Sequence, residues 1–203
     1  MVIEKITLRG YGVRLEPLDP DSHFDGLTDA IADGELWRIP VTSVPHPDDL
    51  DRFFADAEDG FAAGRELAFA TIDEASGRIA GSTRFRAIDE PHRRVEIGFT
   101  FLAAGFQRTV VNTAAKLLMM RHAFDVWGTN RVEYLTDVLN ERSRTAIERI
   151  GAEPEGVLRH HMVMRDGRIR DSAIYSVIST DWPRVQEALE GRLGVNHERE
   201  PDD

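Results

Sequence analysis

The stretch from Arg94 to Val138 constrains this chain more than any other. RVEIGFTFL (Arg94–Leu102) alternates apolar and polar residues, as a half-buried strand does. A polar turn, QRTVVNT (Gln107–Thr113), leads into AAKLLMMRHAFDVW. There Ala114, Leu117, Leu118, Phe124 and Trp127 recur at helical spacing, and Gly128 stands where a helix stops. RVEYLTDV (Arg131–Val138) then alternates again. A strand, a helix and a strand in this order form a crossover, which makes the two strands parallel. The other strand links are too short for that. EASGR and DEPHRR join strands at Glu66–Asp73, Ile79–Ile88 and Arg94–Leu102, and Asp166-Gly167 joins Gly156–Arg165 to Arg168–Ser179, so these neighbours are hairpins.

A first strand is expected at Tyr11–Leu18, before the helices Asp21–Asp33 and Asp48–Ala63. Further helices are expected at Thr113–Trp127, Glu141–Ile150 and Trp182–Leu193. The predicted class is α/β (α+β), a mixed and mostly antiparallel sheet of about seven strands with one central parallel pair and helices on both faces. No linker divides the chain, so residues 1–195 read as one domain and NHEREPDD (196–203) as a disordered tail.

At 203 residues and 41% hydrophobic, the chain can bury one sizeable core. The absence of cysteine excludes disulfides, thiolate metal sites and a cysteine nucleophile. The histidines show no H-x-x-x-H or H-x-H spacing, so no metal is expected. A net charge of −11 argues against nucleic-acid binding. No apolar run is long enough to span a bilayer, so no membrane partner and a cytoplasmic location are expected. The acidic surface suits a cationic substrate such as an amine, and equally serves solubility alone.

Strand alternation puts Val95, Ile97, Phe99 and Phe101 on a core face, with Glu96, Gly98 and Thr100 opposite. Glu96 reads either as the solvent-facing partner of an arginine or as a working carboxylate beside a glycine that permits close approach. The turn reads in two ways as well. Gln107, Arg108, Thr109, Asn112 and Thr113 surround a helix start and suit an anion, Arg108 through its forked donors. Alternatively, Asn112 or Thr113 simply caps the helix. The turn has no glycine, unlike most phosphate loops. Asn140 and Ser143 stand three apart at a helix start, where Asn140 suits an N-cap and Ser143 can face a cleft. His160 and His161 fall on opposite faces of one strand, as packed or surface residues or as a base.

Three segments together resemble a known family: VEIGFTFLAAGFQRTVVNTAAKLLMMRHAFD, NRVEYLTDVLNERSRTAIERIGAEPEGVLRHHMVMRDGRIRDSAIYSV and DWPRVQEALEGRL. The chain resembles the GNAT superfamily of acyl-CoA-dependent N-acetyltransferases, most closely its RimJ/RimL-like branch. The run N-x-R-S-x-x-A-I-E-R-x-G-A is the most specific part, and weaker likeness reaches back to VRLEPL. The resemblance implies that Arg94–Leu102 and Arg131–Val138 splay apart to admit acetyl-CoA (coenzyme A). Its pyrophosphate would rest on backbone N–H groups of Gln107, Arg108, Thr109, Val110, Val111, Asn112 and Thr113. Most members carry Q/R-x-x-G-x-G/A here. With valines at 110 and 111, the loop is expected to keep ordinary dihedrals and to draw donors from Arg108, Thr109, Asn112 or Lys116.

By the same resemblance Glu96 would be the base, and N–H groups at Phe101 and Leu102 would stabilise oxyanion charge. Ser143 would donate to the leaving thiolate, while Asn140 holds the pantetheine arm or the helix entry. The acceptor, a primary amine on a small molecule or a protein N-terminus, would lie among Trp37, Phe53, Phe54, His160 and Tyr175. A homo-oligomer fits family habit. The alternative is a catalytically inactive acyl-CoA-binding or regulatory protein, suggested by the glycine-free loop.

Overall fold

The computed structural model describes residues 1–194, so the tail expected at 196–203 lies outside the described residues. In chain order the elements are β1 (Leu8–Gly10), β2 (Val13–Pro17), α1 (Pro20–Ala32), α2 (Leu50–Ala62), β3 (Leu67–Asp73), β4 (Ile79–Asp89) and β5 (Arg94–Leu102). They continue as α3 (Val111–Arg121), β6 (Arg131–Asp137), α4 (Glu141–Arg149), β7 (Glu153–Val163), β8 (Ile169–Ile178) and α5 (Trp182–Arg192). One eight-stranded sheet has the order β1-β2-β3-β4-β5-β6-β8-β7. The expected crossover through α3 makes β5 and β6 the parallel pair, and the other neighbours are antiparallel.

Two cores form, one on each face. Val95, Ile97, Leu117, Met119, Val132, Tyr175 and Leu189 pack together under α3 and α5. Leu27, Ile31, Leu50, Phe53, Phe54, Ala70 and Phe101 pack under α1 and α2.

The pairing of β5 with β6 stops after Arg94–Glu96 against Arg131–Glu133, and beyond it the two strands diverge. A bulge in β5 accompanies the divergence. The β4–β5 register shifts between Ser82 and Arg84, and Phe99 takes φ 47°, an uncommon conformation for a bulky residue. An extra residue exchanges the faces of everything after it. Val95 and Ile97 therefore join the α3 core, whereas Phe101 joins the α1–α2 core. Phe99 is half-buried beneath the guanidinium groups of Arg84 and Arg86, and Thr100 turns to Lys116. The expected common face of Val95, Ile97, Phe99 and Phe101 thus holds only as far as Gly98.

Three boundaries also differ. The expected first strand is a hairpin whose turn, Tyr11-Gly12, has φ 54° and 74°, a primed turn without the usual asparagine. Helix α3 starts two residues early, at Val111, and passes into a π-helical turn at His122–Val126. That turn carries Phe124 onto Trp182, 5.1 Å between ring centres, and Trp127 onto Phe85 at 4.6 Å. Strand β7 begins at Glu153, ahead of Gly156.

Candidate active site

The divergence of β5 and β6 opens a cleft of about 990 Å³, near the upper end for small-molecule sites. The starts of α3 and α4, the segment after α1 and the β7–β8 hairpin complete its walls.

Glu96 lies where the splay begins, 7% exposed, with Oε1 3.5 Å from Arg86 Nη1. Burial pushes its pKa above the ordinary carboxylate value; Arg86 opposes that shift and Glu133 reinforces it. The neighbouring Gly98 has a specific task. A Cβ at Gly98 would stand 2.6 Å from Glu96 Oε1, so the glycine makes room for the carboxylate itself.

Across the bulge, Lys116 of α3 is 4% exposed and donates to Thr83 Oγ1 at 3.0 Å and Thr100 Oγ1 at 2.6 Å. Burial lowers its pKa to about 7. It therefore fastens α3 to both strands of the bulge rather than to the turn. Tyr134 is also buried beside the cleft, and among the described residues its hydroxyl has no hydrogen-bond partner. Burial raises its pKa.

The turn before α3 does not keep ordinary dihedrals: Arg108 takes φ 62°, the left-handed conformation glycine usually supplies. The Gln107 N–H is already committed to Ala104 O at 3.2 Å, and its side chain joins Leu102 O (2.8 Å) to Arg142. The Val111 N–H leans on Thr109 Oγ1 at 3.3 Å. Among the described residues, the N–H groups of Arg108, Thr109, Val110, Asn112 and Thr113 have no partner. Neither Asn112 nor Thr113 caps the helix. Both fall inside its first turn, because the N-cap position is Val110, which supplies no side-chain acceptor. A helix start without a cap keeps its donors free for an anion.

At α4, Asn140 is the expected N-cap, its Oδ1 accepting from the Ser143 N–H at 3.0 Å. Asn140 Nδ2 also reaches Val41 O at 3.4 Å. Glu96, Phe101, Leu102, Gln107, Arg108, Thr109, Asn112, Thr113, Asn140 and Ser143 all line the cleft. Val110, Val111, Trp37, His160 and Tyr175 do not. Tyr175 is 1% exposed, with its hydroxyl between Arg144 Nε (3.0 Å) and Glu148 (3.2 Å) on the α4 side. Trp37 sits edge-on to His46, and Phe53 and Phe54 belong to the α1–α2 core. A register shift in β7 between Leu158 and Met162, with His160 at φ 51°, changes the phase there. His161 instead lines the cleft, its Nδ1 2.9 Å from Ser172 Oγ.

Sequence reasoning missed Tyr134 and Arg170 as parts of this cleft, and from the residue 36–44 segment it picked Trp37, whose neighbours rather than itself form the lining. Tyr134 and Arg170 sit in ordinary alternating strands, so no spacing marked them. No group of three or more metal-ligating side chains occurs among the described residues, and no helix there is long and apolar enough to cross a membrane.

Residues 13–153 match the sequence family described as "Acetyltransferase (GNAT) domain". The Bacillus subtilis (strain 168) protein named "Putative ribosomal N-acetyltransferase YdaF" is 32% identical over 106 residues, which is 52% of this chain and 57% of that one. The matches thus span little more than half the length of the curated relatives. The crystal structure of a GCN5-related N-acetyltransferase from Brucella melitensis superposes with a TM-score of 0.83 at 34% identity, covering 94% of this chain and 86% of that one. Mycobacterium smegmatis RimJ in complex with CoA-disulfide shares the fold at a TM-score of 0.76 and 20% identity, covering 93% of each chain.

Proposed function

The chain belongs to the GNAT acetyltransferase family, and on that premise we propose that it is a single-domain N-acetyltransferase moving an acetyl group from acetyl-CoA to a primary amine. The carrying observation is the cleft itself: a buried carboxylate, Glu96, where the splay begins, and unpaired N–H groups at the start of α3. The donors fit a pyrophosphate. Arg108 in the left-handed conformation turns the chain as a glycine would, and its guanidinium adds a forked donor.

When bound, acetyl-CoA supplies an activated acyl group and a thiol as leaving group. Arg108, Thr109, Asn112 and Thr113 would hold its phosphates, and Asn140 its pantetheine arm. An amine with pKa near 10 is mostly protonated at neutral pH, so attack requires loss of a proton. Glu96, with its pKa raised by burial, is suited to accept that proton. Beyond Glu96 one edge of β5 is unpaired with β6. The Ala103 N–H is bonded to Ala80 O and Phe101 pairs with Ser82 on the β4 side, so the alternate N–H, that of Leu102, is the one that can face developing oxyanion charge. Ser143 and the unpartnered Tyr134 hydroxyl are the two candidate donors to the departing sulfur. The acceptor, a small amine or a protein N-terminus, would enter between the residue 36–44 segment and the β7–β8 hairpin. The wording of the ribosomal relative's name supports the second kind.

Calorimetric titration with acetyl-CoA tests the cofactor half, and thiol release across amines and N-terminal peptides tests the transfer. Absence of binding at about 1 mM cofactor would overturn the reading; binding without thiol release would favour a non-catalytic acyl-CoA-binding protein.

A further inference from the structure

On the α1–α2 face of the sheet, in the cleft (Arg86, Arg94, Glu96, Glu133) and around it, charge is crowded and its pairing is nearly complete. Arg84 bonds Glu66 at 2.7 Å, and Arg86 lies 3.7 Å from Glu66 and 3.5 Å from Glu96. Arg94 contacts Asp89 at 3.0 Å and Glu133 at 3.5 Å, while Arg131 pairs with Glu133 and Glu155. Arg168 holds Asp137 at 2.5 Å. Arg170 is different. It lines the cleft and is only 7% exposed, yet among the described residues it forms no ion pair. Asp137 and Glu96 act on it from a distance, and both already have arginines of their own.

A guanidinium this buried without a carboxylate is costly unless something supplies the charge. Its orientation is nevertheless fixed. Arg170 Nε donates to Ser172 Oγ at 2.9 Å, and the same hydroxyl bonds His161 Nδ1 at 2.9 Å. The bond at Nε leaves the two terminal nitrogens of Arg170 as a fork for a planar anion. Leu135, Leu158, Met162 and Ile174 give the same wall an apolar lining.

We propose that Arg170, oriented by Ser172 and His161, binds a carboxylate on the acceptor, so that the substrate is a primary amine carrying a carboxylate. This rests on reading the cleft as an amine-acceptor site. Such an acceptor is a zwitterion, with its ammonium end drawn to Glu96 and Glu133 and its anionic end to Arg170. Being neutral overall, it is not repelled by a protein of net charge −11.

The test uses matched acceptors: 6-aminohexanoate against 6-aminohexanamide, and N-terminal peptides with Glu against Gln at the second position. Thiol release should favour the carboxylate member of at least one pair by about tenfold or more in kcat/KM. Which pair responds separates a free amino acid from a protein end. Arg170→Met should abolish the preference and Arg170→Lys keep part of it, with the KM for acetyl-CoA unchanged in both. Equal rates within both pairs, or a preference that survives Arg170→Met, would overturn the proposal. If no amine releases thiol, the transfer reading fails separately, and thermal shift decides the anion site. Stabilisation by 6-aminohexanoate but not by the amide, lost in Arg170→Met, supports it; no such difference overturns it.

Discussion

Two buried ionisable residues give opposite expectations at the residue scale. Glu96 has its pKa raised by burial, so its basic form appears only above the ordinary carboxylate range. The acid limb of kcat/KM should therefore lie above that range. Glu96→Gln should lower turnover about 10²-fold or more and remove the limb, leaving acetyl-CoA affinity nearly intact. An unchanged pH–rate profile would take Glu96 out of the base role. Lys116 acts on stability. Its pKa of about 7 lies well below the unfolded value, so the unfolded chain binds more protons through the interval between them. The cost of burying the ammonium is thus complete below pH about 7 and is relieved as pH rises above it. Lys116→Met should gain more stability over wild type at pH 6 than at pH 9, measured by urea unfolding. A difference that does not narrow with rising pH would show that Thr83 and Thr100 fully compensate the charge.

At the scale of the element, the turn into α3 is held by one residue in an unexpected conformation. Arg108 at φ 62° takes on a role that most phosphate loops assign to glycine. Left-handed geometry costs an L-residue about 1–2 kcal/mol, and only glycine escapes it. Arg108→Gly should therefore melt at a higher temperature than Arg108→Ala, while both weaken acetyl-CoA binding through loss of the guanidinium. Unchanged affinity in both would mean that backbone N–H groups suffice. The sequence revealed that this turn starts a helix after a strand, because periodicity records element type. It did not reveal Arg108's conformation, since nothing in R-T-V-V-N-T forbids an ordinary φ. The bulge at Phe99 was hidden for a related reason. RVEIGFTFL alternates without a break, so the inversion after Gly98 has no trace in polarity. Asn140 was legible because a helix N-cap is a local motif, whereas Arg170 depends on partners far along the chain that fail to reach it.

For the whole molecule, the crossover and the hairpins were enough to fix the relative direction of the strands they join, because link length dictates direction, whereas the β2–β3 and β6–β8 pairings, which neither kind of link makes, were not legible. The roof of the cleft follows no such rule. The segment between α1 and α2 is tied across the molecule by side chains bonding to its backbone carbonyls. Arg165 reaches Trp37 O at 3.1 Å, Arg168 reaches Pro40 O at 3.4 Å, and Asn140 reaches Val41 O at 3.4 Å. These bonds join the segment that follows α1 to the β7–β8 hairpin and α4, over the side where an acceptor is proposed to enter, while the α3 turn takes no part in them. Cutting the two arginine ties with Arg165→Ala and Arg168→Ala together should loosen the roof. Acceptor KM should then rise severalfold while the KM for acetyl-CoA stays close to wild type. Equal effects on both would mean that the roof supports the entire cleft. The Asp137 carboxylate, 1% exposed, also loses its partner in this variant, so Tm should fall as well. Arg165→Ala alone leaves that pair intact, so an acceptor-specific rise in KM there, without a drop in Tm, separates the roof from the buried charge.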